Sequence, residues 1–350
     1  MDMPPGGWTE RMKFGLLYLP TYVPERDGEP ADLFERMLDQ ISLADELGYH
    51  AVWLTEHHFH RYGGLVPNPA VLGAAVAART RRMRIGVAVS VLPLHHPLTL
   101  AEDYAMLDVL SRGRLDFGIG KGSVLEEYRQ FGMTRDDAIY EEASELIARA
   151  WSTPSLTHTG PRYRFSELAL LPRPVQQPHP PIWVGVTGSR ASFDWAGRHG
   201  YHLMVLPYLV PTDVLKECLA VYFDALRAAG HDPRQFEVLA KFHVFVAESA
   251  AEARRLAAQA YENYQDIMAS RTGQTRTGPA WDDHVAAYKV IAGSPADCIE
   301  RIRHWRDTLG ITQIGGTFHF GGLAQAPTLR SIELFAREVA PAFHAAAVTV

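Results

Sequence analysis

Eight short runs rich in β-branched and aromatic residues alternate with helical stretches along the whole chain, and this alternation restricts the fold more than any other feature. The runs fall at residues 14–19, 51–54, 83–91, 115–120, 181–186, 202–206, 236–246 and 311–316. Helical periodicity predicts helices near 32–47, 69–79, 97–110, 136–151, 189–198, 212–229, 250–269 and 296–309, with a last one at 327–340. Parallel strands need crossover connections, and strand–helix units supply them. Eight units in strict alternation fit a closed parallel (β/α)8 TIM barrel better than an open doubly wound sheet, which commonly uses fewer strands and reverses order midway. The expected fold class is therefore α/β, a barrel with insertions after its fourth and seventh strands: proline-rich residues 153–180 and polar residues 271–292. Excursions of that length are lids or substrate loops about as often as passive surface. Residues 1–12 read as a loose leader and residues 13–345 as one domain.

Composition narrows the partners. With 34 basic and 40 acidic residues the formal charge is -6, and no block of like charges draws the chain to nucleic acid or to a membrane surface. Small-molecule chemistry is favoured. Cys218 and Cys298 both lie in amphipathic helical patterns, so neither a disulfide framework nor a Cys-rich metal cluster is expected, and a reducing cytoplasm fits. The N-terminal stretch holds no apolar run long enough for a signal peptide or a membrane span.

In a barrel the chemistry sits where strands end, at the C-terminal rim. After the second run comes Thr55-Glu56-His57-His58-Phe59-His60, a density of ionisable groups that a core would not tolerate. A histidine there can move a proton or hold an anionic intermediate, with Glu56 placed to orient a neighbour. The competing reading is a metal site built on the His58–His60 pair, for which His202 and His319 are the further candidates at later strand ends. His95 and His96, before Pro97, read as loop residues. The fourth run empties into Gly120-Lys121-Gly122, where glycines let backbone amides approach an anion and Lys121 supplies charge. The fifth ends in Thr187-Gly188-Ser189-Arg190-Ala191-Ser192 at a helix N-terminus, whose unpaired amides favour a phosphate and whose serines can cap. Two anion-friendly turns on consecutive strands point to a phosphorylated cofactor.

These residues carry a family resemblance. The chain from about residue 12 to 343 resembles the bacterial-luciferase superfamily of flavin-dependent barrel enzymes. The likeness rests on Val52-Trp53-Leu54-Thr55-Glu56-His57-His58-Phe59, on Val91-Leu92-Pro93-Leu94-His95-His96-Pro97, on Leu110-Ser111-Arg112-Gly113-Arg114-Leu115 through Gly122, and on Gly293-Ser294-Pro295.

The resemblance implies a monooxygenase that takes reduced FMN from a partner NAD(P)H:flavin reductase, adds molecular oxygen to form a flavin C4a-hydroperoxide, and oxygenates a small organic substrate. It implies His57 as general base and stabiliser of that intermediate, with His58 and Glu56 in support. Cofactor contacts are implied at Ala88 and Val89, through a non-proline cis peptide, and at Lys121, Gly122, Thr187, Gly188, Ser189 and Arg190. Lys121 stands where the family commonly has an arginine, Ile139 where luciferase has a second phosphate arginine, and Gly120 where it has a reactive cysteine. Loose FMN retention follows. Tyr18, Trp53, Phe59 and residues 271–292 are expected to line the pocket, and a homodimer through the second and third helices is implied. A deazaflavin-dependent dehydrogenase of the same fold, a non-catalytic flavin-binding protein and a barrel metallohydrolase are the alternatives.

Overall fold

Val, Ile, Leu and Phe on both faces of a strand call for cover on both faces, and parallel strands inside a ring of helices supply it. The computed structural model describes residues 12–344 apart from 272 and 274; the expected leader, save its last residue, lies outside the described residues, as does residue 345. Eight strands form the wall: β1 Lys13–Tyr18, β2 Ala51–Leu54, β3 Arg84–Val87, β4 Leu115–Gly120, β5 Ile182–Gly185, β6 His202–Val205, β7 Val238–Val246 and β8 Gln313–Thr317. Each pairs in parallel with the next, and β8 returns to β1 through Lys13 opposite Gln313. The expected closed barrel is present.

Among the described residues, nine helices of nine residues or more pack outside: α1 Pro30–Leu47, α2 Pro69–Arg79, α3 Pro97–Ser111, α4 Asp137–Ser152, α5 Arg190–Arg198, α6 Thr212–Ala228, α7 Ala250–Ser270, α8 Pro295–Leu309 and α9 Gln325–Leu334. Their ends follow local chemistry. Pro30 opens α1 and Gly48 closes it in the left-handed region; Ser294 and Asp297 form a reciprocal capping box on α8, which Gly310 terminates.

The sequence expectation departs from the structure at three places. The third run is not continuous: β3 stops at Val87, the Ala88–Val89 peptide is cis as expected, and Ser90–Val91 pairs again with Ile119 and Gly120 of β4. Residues 153–180 contain an antiparallel hairpin, Leu156–Thr159 with Arg164–Leu168. Residues 271–292 are not all loop either. They include a helix at Trp281–Ala286 and a strand at Val290–Gly293, which pairs with the rim end of β7 at His243–Val246.

Alternation along the strands divides the interior. On β7, Val238, Ala240, Phe242 and Val244 pack beneath helices, while Leu239 and Phe245 face inward with Leu17, Trp53, Trp183 and Met204. Trp53 and Trp183 meet edge to face at 4.9 Å and fill the barrel. Gly86 makes that possible, since a Cβ there would lie 2.1 Å from Trp53 Cε3. The plug leaves space above it, at the C-terminal rim. No helix of the described residues is long and apolar enough to cross a membrane.

Candidate active site

Above the plug lies a cavity of about 830 Å³, within the range of small-molecule and cofactor sites. Its wall is built from the turns that end the strands. After β3, Ala88 and Val89 form an apolar shelf. Gly120 and Gly185 on the neighbouring strands clear room for it: a Cβ at either would come within 2.3 or 2.8 Å of the Val89 methyls.

At one end of the cavity Lys121 Nζ and Arg135 Nε lie 3.0 and 3.1 Å from the two oxygens of Asp137. Gly122 turns the chain with φ of 70°, and a Cβ there would meet Val91 at 2.7 Å. Thr187 and Ser189 also line this end, and the Ser189 side chain, although at the N-cap of α5, caps no amide. The predicted capping is thus absent and the hydroxyl is available. The Arg190 side chain points outward and pairs with Glu217 at 2.9 Å; neither it nor Gly188 lines the cavity.

The histidine-rich turn after β2 sorts into two buried networks. Glu127, from the short helix Leu125–Gln130, accepts hydrogen bonds through Oε1 from His57 Nδ1 (3.0 Å), the His58 amide (3.0 Å) and His60 Nε2 (3.2 Å). With Nδ1 engaged, Nε2 is the nitrogen His57 has left for the cavity it lines. Burial lowers the His57 pKa below its ordinary 6.5 more than Glu127 raises it, so the imidazole is neutral at pH 7. Burial pushes Glu127 upward, but the hydrogen bonds from His57, His60 and the His58 amide win and hold it at about 2. In the second network Glu56 accepts from His58 Nε2 (3.1 Å), His95 Nε2 (2.7 Å), the Ser90 hydroxyl (3.2 Å) and the Val91 amide (3.0 Å). Here too burial acts upward, and the donors, led by His58 and His95, hold Glu56 at about 2. His95 is therefore part of the site's support rather than a bystander in a loop, while His96 caps α3.

Several expectations need correction. His58 does not reach the cavity; it is buried behind Glu56. Tyr18 points away, donating to Gln40 at 2.8 Å, Trp53 belongs to the plug below, and Phe59 is 63% exposed beside Phe131. Of residues 271–292, Arg271, Thr275 and Arg276 do line the cavity. The metal set drawn from the sequence is not assembled. His58 and His60 turn to different carboxylates, His202 accepts from the Glu237 amide, and His319 is buried 3.7 Å from Asp27. Among the described residues the groups with ligand atoms within 4.8 Å of one another are instead Glu56–His58–His95 and His57–His60–Glu127.

Three site residues were not foreseen. Arg135 and Glu127 sit in a loop and a six-residue helix with no periodic signal, and only the folded chain brings them to the rim. Lys241 had a signal: a lysine at an inward position of the run Val238–Val246, apolar but for it and His243. It lines the cavity, is 9% exposed, and burial lowers its pKa to about 7.

Comparison with known proteins agrees with the barrel fold. The crystal structure of monooxygenase RslO1 from Streptomyces bottropensis has a TM-score of 0.90 at 34% identity, covering 95% of this chain and 100% of that one. The alkanal monooxygenase alpha chain of Photorhabdus luminescens is 27% identical over 355 residues, 94% of this chain and 96% of that protein. The oxygenase component of the flavin-dependent trigonelline monooxygenase of Acinetobacter baylyi is 27% identical over 330 residues, 89% and 90% of the two chains. The family model for luciferase-like monooxygenases matches residues 12–313, most of the sequence, and the chain belongs to that family.

Proposed function

We propose that the protein is the oxygenase half of a two-component system, which takes reduced FMN from a separate NAD(P)H:flavin reductase and transfers one atom of dioxygen to a small organic substrate. The observation that carries this reading is a single cavity with an apolar shelf, Ala88 and Val89, between a cationic end and one neutral imidazole. Such a cradle fits FMN: the shelf and its glycine clearances suit a planar ring, and Lys121, Arg135 and the uncommitted Ser189 hydroxyl suit a phosphate. Reduced FMN, when bound, supplies two electrons and the centre at which dioxygen is activated; the second oxygen atom leaves as water.

The chain's own residues do the rest. Lys121 and Arg135 hold the phosphate, with Gly122, Thr187 and Ser189 around it. Asp137 already holds both cations, so a phosphate would compete with it for them and would be held less tightly, which suits a cofactor that arrives and leaves each turnover. His57 takes and returns a proton at Nε2 while Glu127 fixes its tautomer through Nδ1. Glu56, with His58 and His95, fixes the turn after β2 against Val91 and so sets His57 relative to the shelf. Leu17, Leu19, Val184 and Met204 exclude water from the reacting region.

Mixing the protein with photoreduced FMN and air tests this reading. Without substrate, oxygen uptake is expected to end as hydrogen peroxide; with a substrate, uptake is matched by oxygenated product. His57→Ala is expected to bind FMN like the wild type but to divert uptake to peroxide. No saturable binding of oxidised or reduced FMN would refute the proposal, and anaerobic hydride transfer from a reduced deazaflavin would replace it with the dehydrogenase reading.

A further inference from the structure

The carboxylates of the cavity wall are nearly all engaged. Asp137 holds Lys121 and Arg135, Glu127 accepts three donors and Glu56 four, and Glu141 is an exposed residue of α4 next to Tyr140. None of them serves Lys241. Its ammonium makes no hydrogen bond or ion pair with any described residue, although it is buried on β7 between Leu239 and His243. Burying a charged group without a partner is unfavourable, because it gives up its hydration for nothing. Nothing in the packing calls for it: Leu17, Met204 and Leu239 on this side of the cavity are apolar, and His243, the next inward residue of β7, makes no hydrogen bond to it. An unpartnered lysine aimed into a ligand cavity is explained by a ligand that brings the partner.

Position says which ligand. The cofactor features lie on consecutive strands β3, β4 and β5, and in a closed ring of eight, β7 stands four strands away from β3. Lys241 therefore faces the strand that carries the Ala88–Val89 shelf from the opposite wall of the same cavity. Lys241 and His57 line the same cavity, and the lysine's charge lowers the His57 pKa. That space is where the molecule to be oxygenated must sit.

We propose that Lys241 is a specificity-determining residue that ion-pairs with an ionised oxygen of the substrate, a carboxylate, phenolate or enolate, and holds it between His57 and the shelf. The inference rests on the oxygenase reading for the word substrate, but the anion site itself can be tested apart from it. The probes are 1-naphthoate and 1-naphthamide, matched in shape and differing in charge, with binding measured by calorimetry with and without saturating FMN. The wild type is expected to bind the carboxylate at least tenfold more tightly than the amide. Lys241→Met, which keeps length and removes charge, is expected to lose that preference while holding FMN within twofold of the wild type, and Lys241→Arg to restore it. Lys121→Met is expected to weaken FMN and keep the naphthoate preference. No preference in the wild type, or one that survives Lys241→Met, overturns the proposal. So does a tenfold loss of FMN affinity in Lys241→Met, which would give the lysine to the cofactor. Failure of FMN to bind any variant would refute the oxygenase reading while leaving the naphthoate comparison intact.

Discussion

At His57 two opposing effects set the chemistry. Burial strips the imidazolium of water and favours the neutral ring, while the Glu127 carboxylate at 3.0 Å favours the proton. Burial wins, which keeps Nε2 a base at neutral pH without making it a strong one. Glu127→Gln keeps the shape and removes the charge. It is expected to lower kcat by about 100-fold, the lower end of the range for lost acid–base support, with little change in KM. The acid limb of the kcat profile should move to lower pH, because the group that raised the His57 pKa is gone; a fixed acid limb would leave Glu127 a merely structural role. Glu56 makes a different prediction, for stability. Folding depresses it from 4.5 to about 2, so its stabilisation is fully present above pH 4.5 and is lost as pH falls toward 2. Glu56→Gln is expected to cost about 3 kcal/mol at pH 7, as for breaking a buried charge network. In urea titrations that deficit should shrink between pH 4.5 and pH 3, where the unfolded chain takes up a proton on Glu56 that the native network still keeps off.

Elements were legible where one period ran long enough to be heard. The eight strands and the longer helices follow from alternation and from start signals such as Pro97 in the first turn of α3. What was missed is short: the hairpin at 156–168, the helix at 125–130 and the strand at Val290–Gly293, each too brief for periodicity to stand out. Those pieces supply Glu127 and extend the sheet at β7, so the site was read as a list of turns while its cross-links were not. His57, Lys121 and the shelf were visible because each follows a strand; Arg135 was not, because its loop follows none. The outward face of α3 carries a further message. Met106, Val109 and Leu110, at i, i+3 and i+4, are 51%, 41% and 55% exposed, and Val71 on the adjoining α2 is 69% exposed. An apolar stripe shared by these two helices fits the homodimer that the family resemblance implied. Sedimentation is expected to show a dimer that Met106→Glu with Leu110→Glu converts to a monomer; a wild-type monomer at micromolar concentration would contradict this. Packing within the wall gives another test. A methyl at Gly86 has no room beside Trp53, and Gly86→Ala is expected to cost about 1–3 kcal/mol, the usual range for overpacking, read as a lower urea midpoint.

On the scale of the whole molecule, the barrel separates its parts by height and by sector. Below the rim the Trp53–Trp183 pair fills the interior, and above it the cavity groups fall on different arcs: the shelf and cationic end on β3 to β5, His57 after β2, Lys241 on β7. A ligand that bridges the first arc ties together strands otherwise joined by few residues, for β3 and β4 share register only at Ile85–Leu115 and Gly86–Asp116 before the chain leaves the sheet at Ala88. FMN is therefore expected to raise the unfolding temperature. At a free concentration about 100 times its Kd the gain is roughly 2.7 kcal/mol, whatever the contacts that produce it, which amounts to a few degrees in a chain of this size. Lys121→Met and Arg135→Met should each reduce the shift at fixed FMN. Because both cations are held by Asp137 in the free protein, Asp137→Asn should enlarge it, by removing the anion with which the phosphate competes. A shift unchanged in all three variants would mean that the phosphate is bound elsewhere on the barrel.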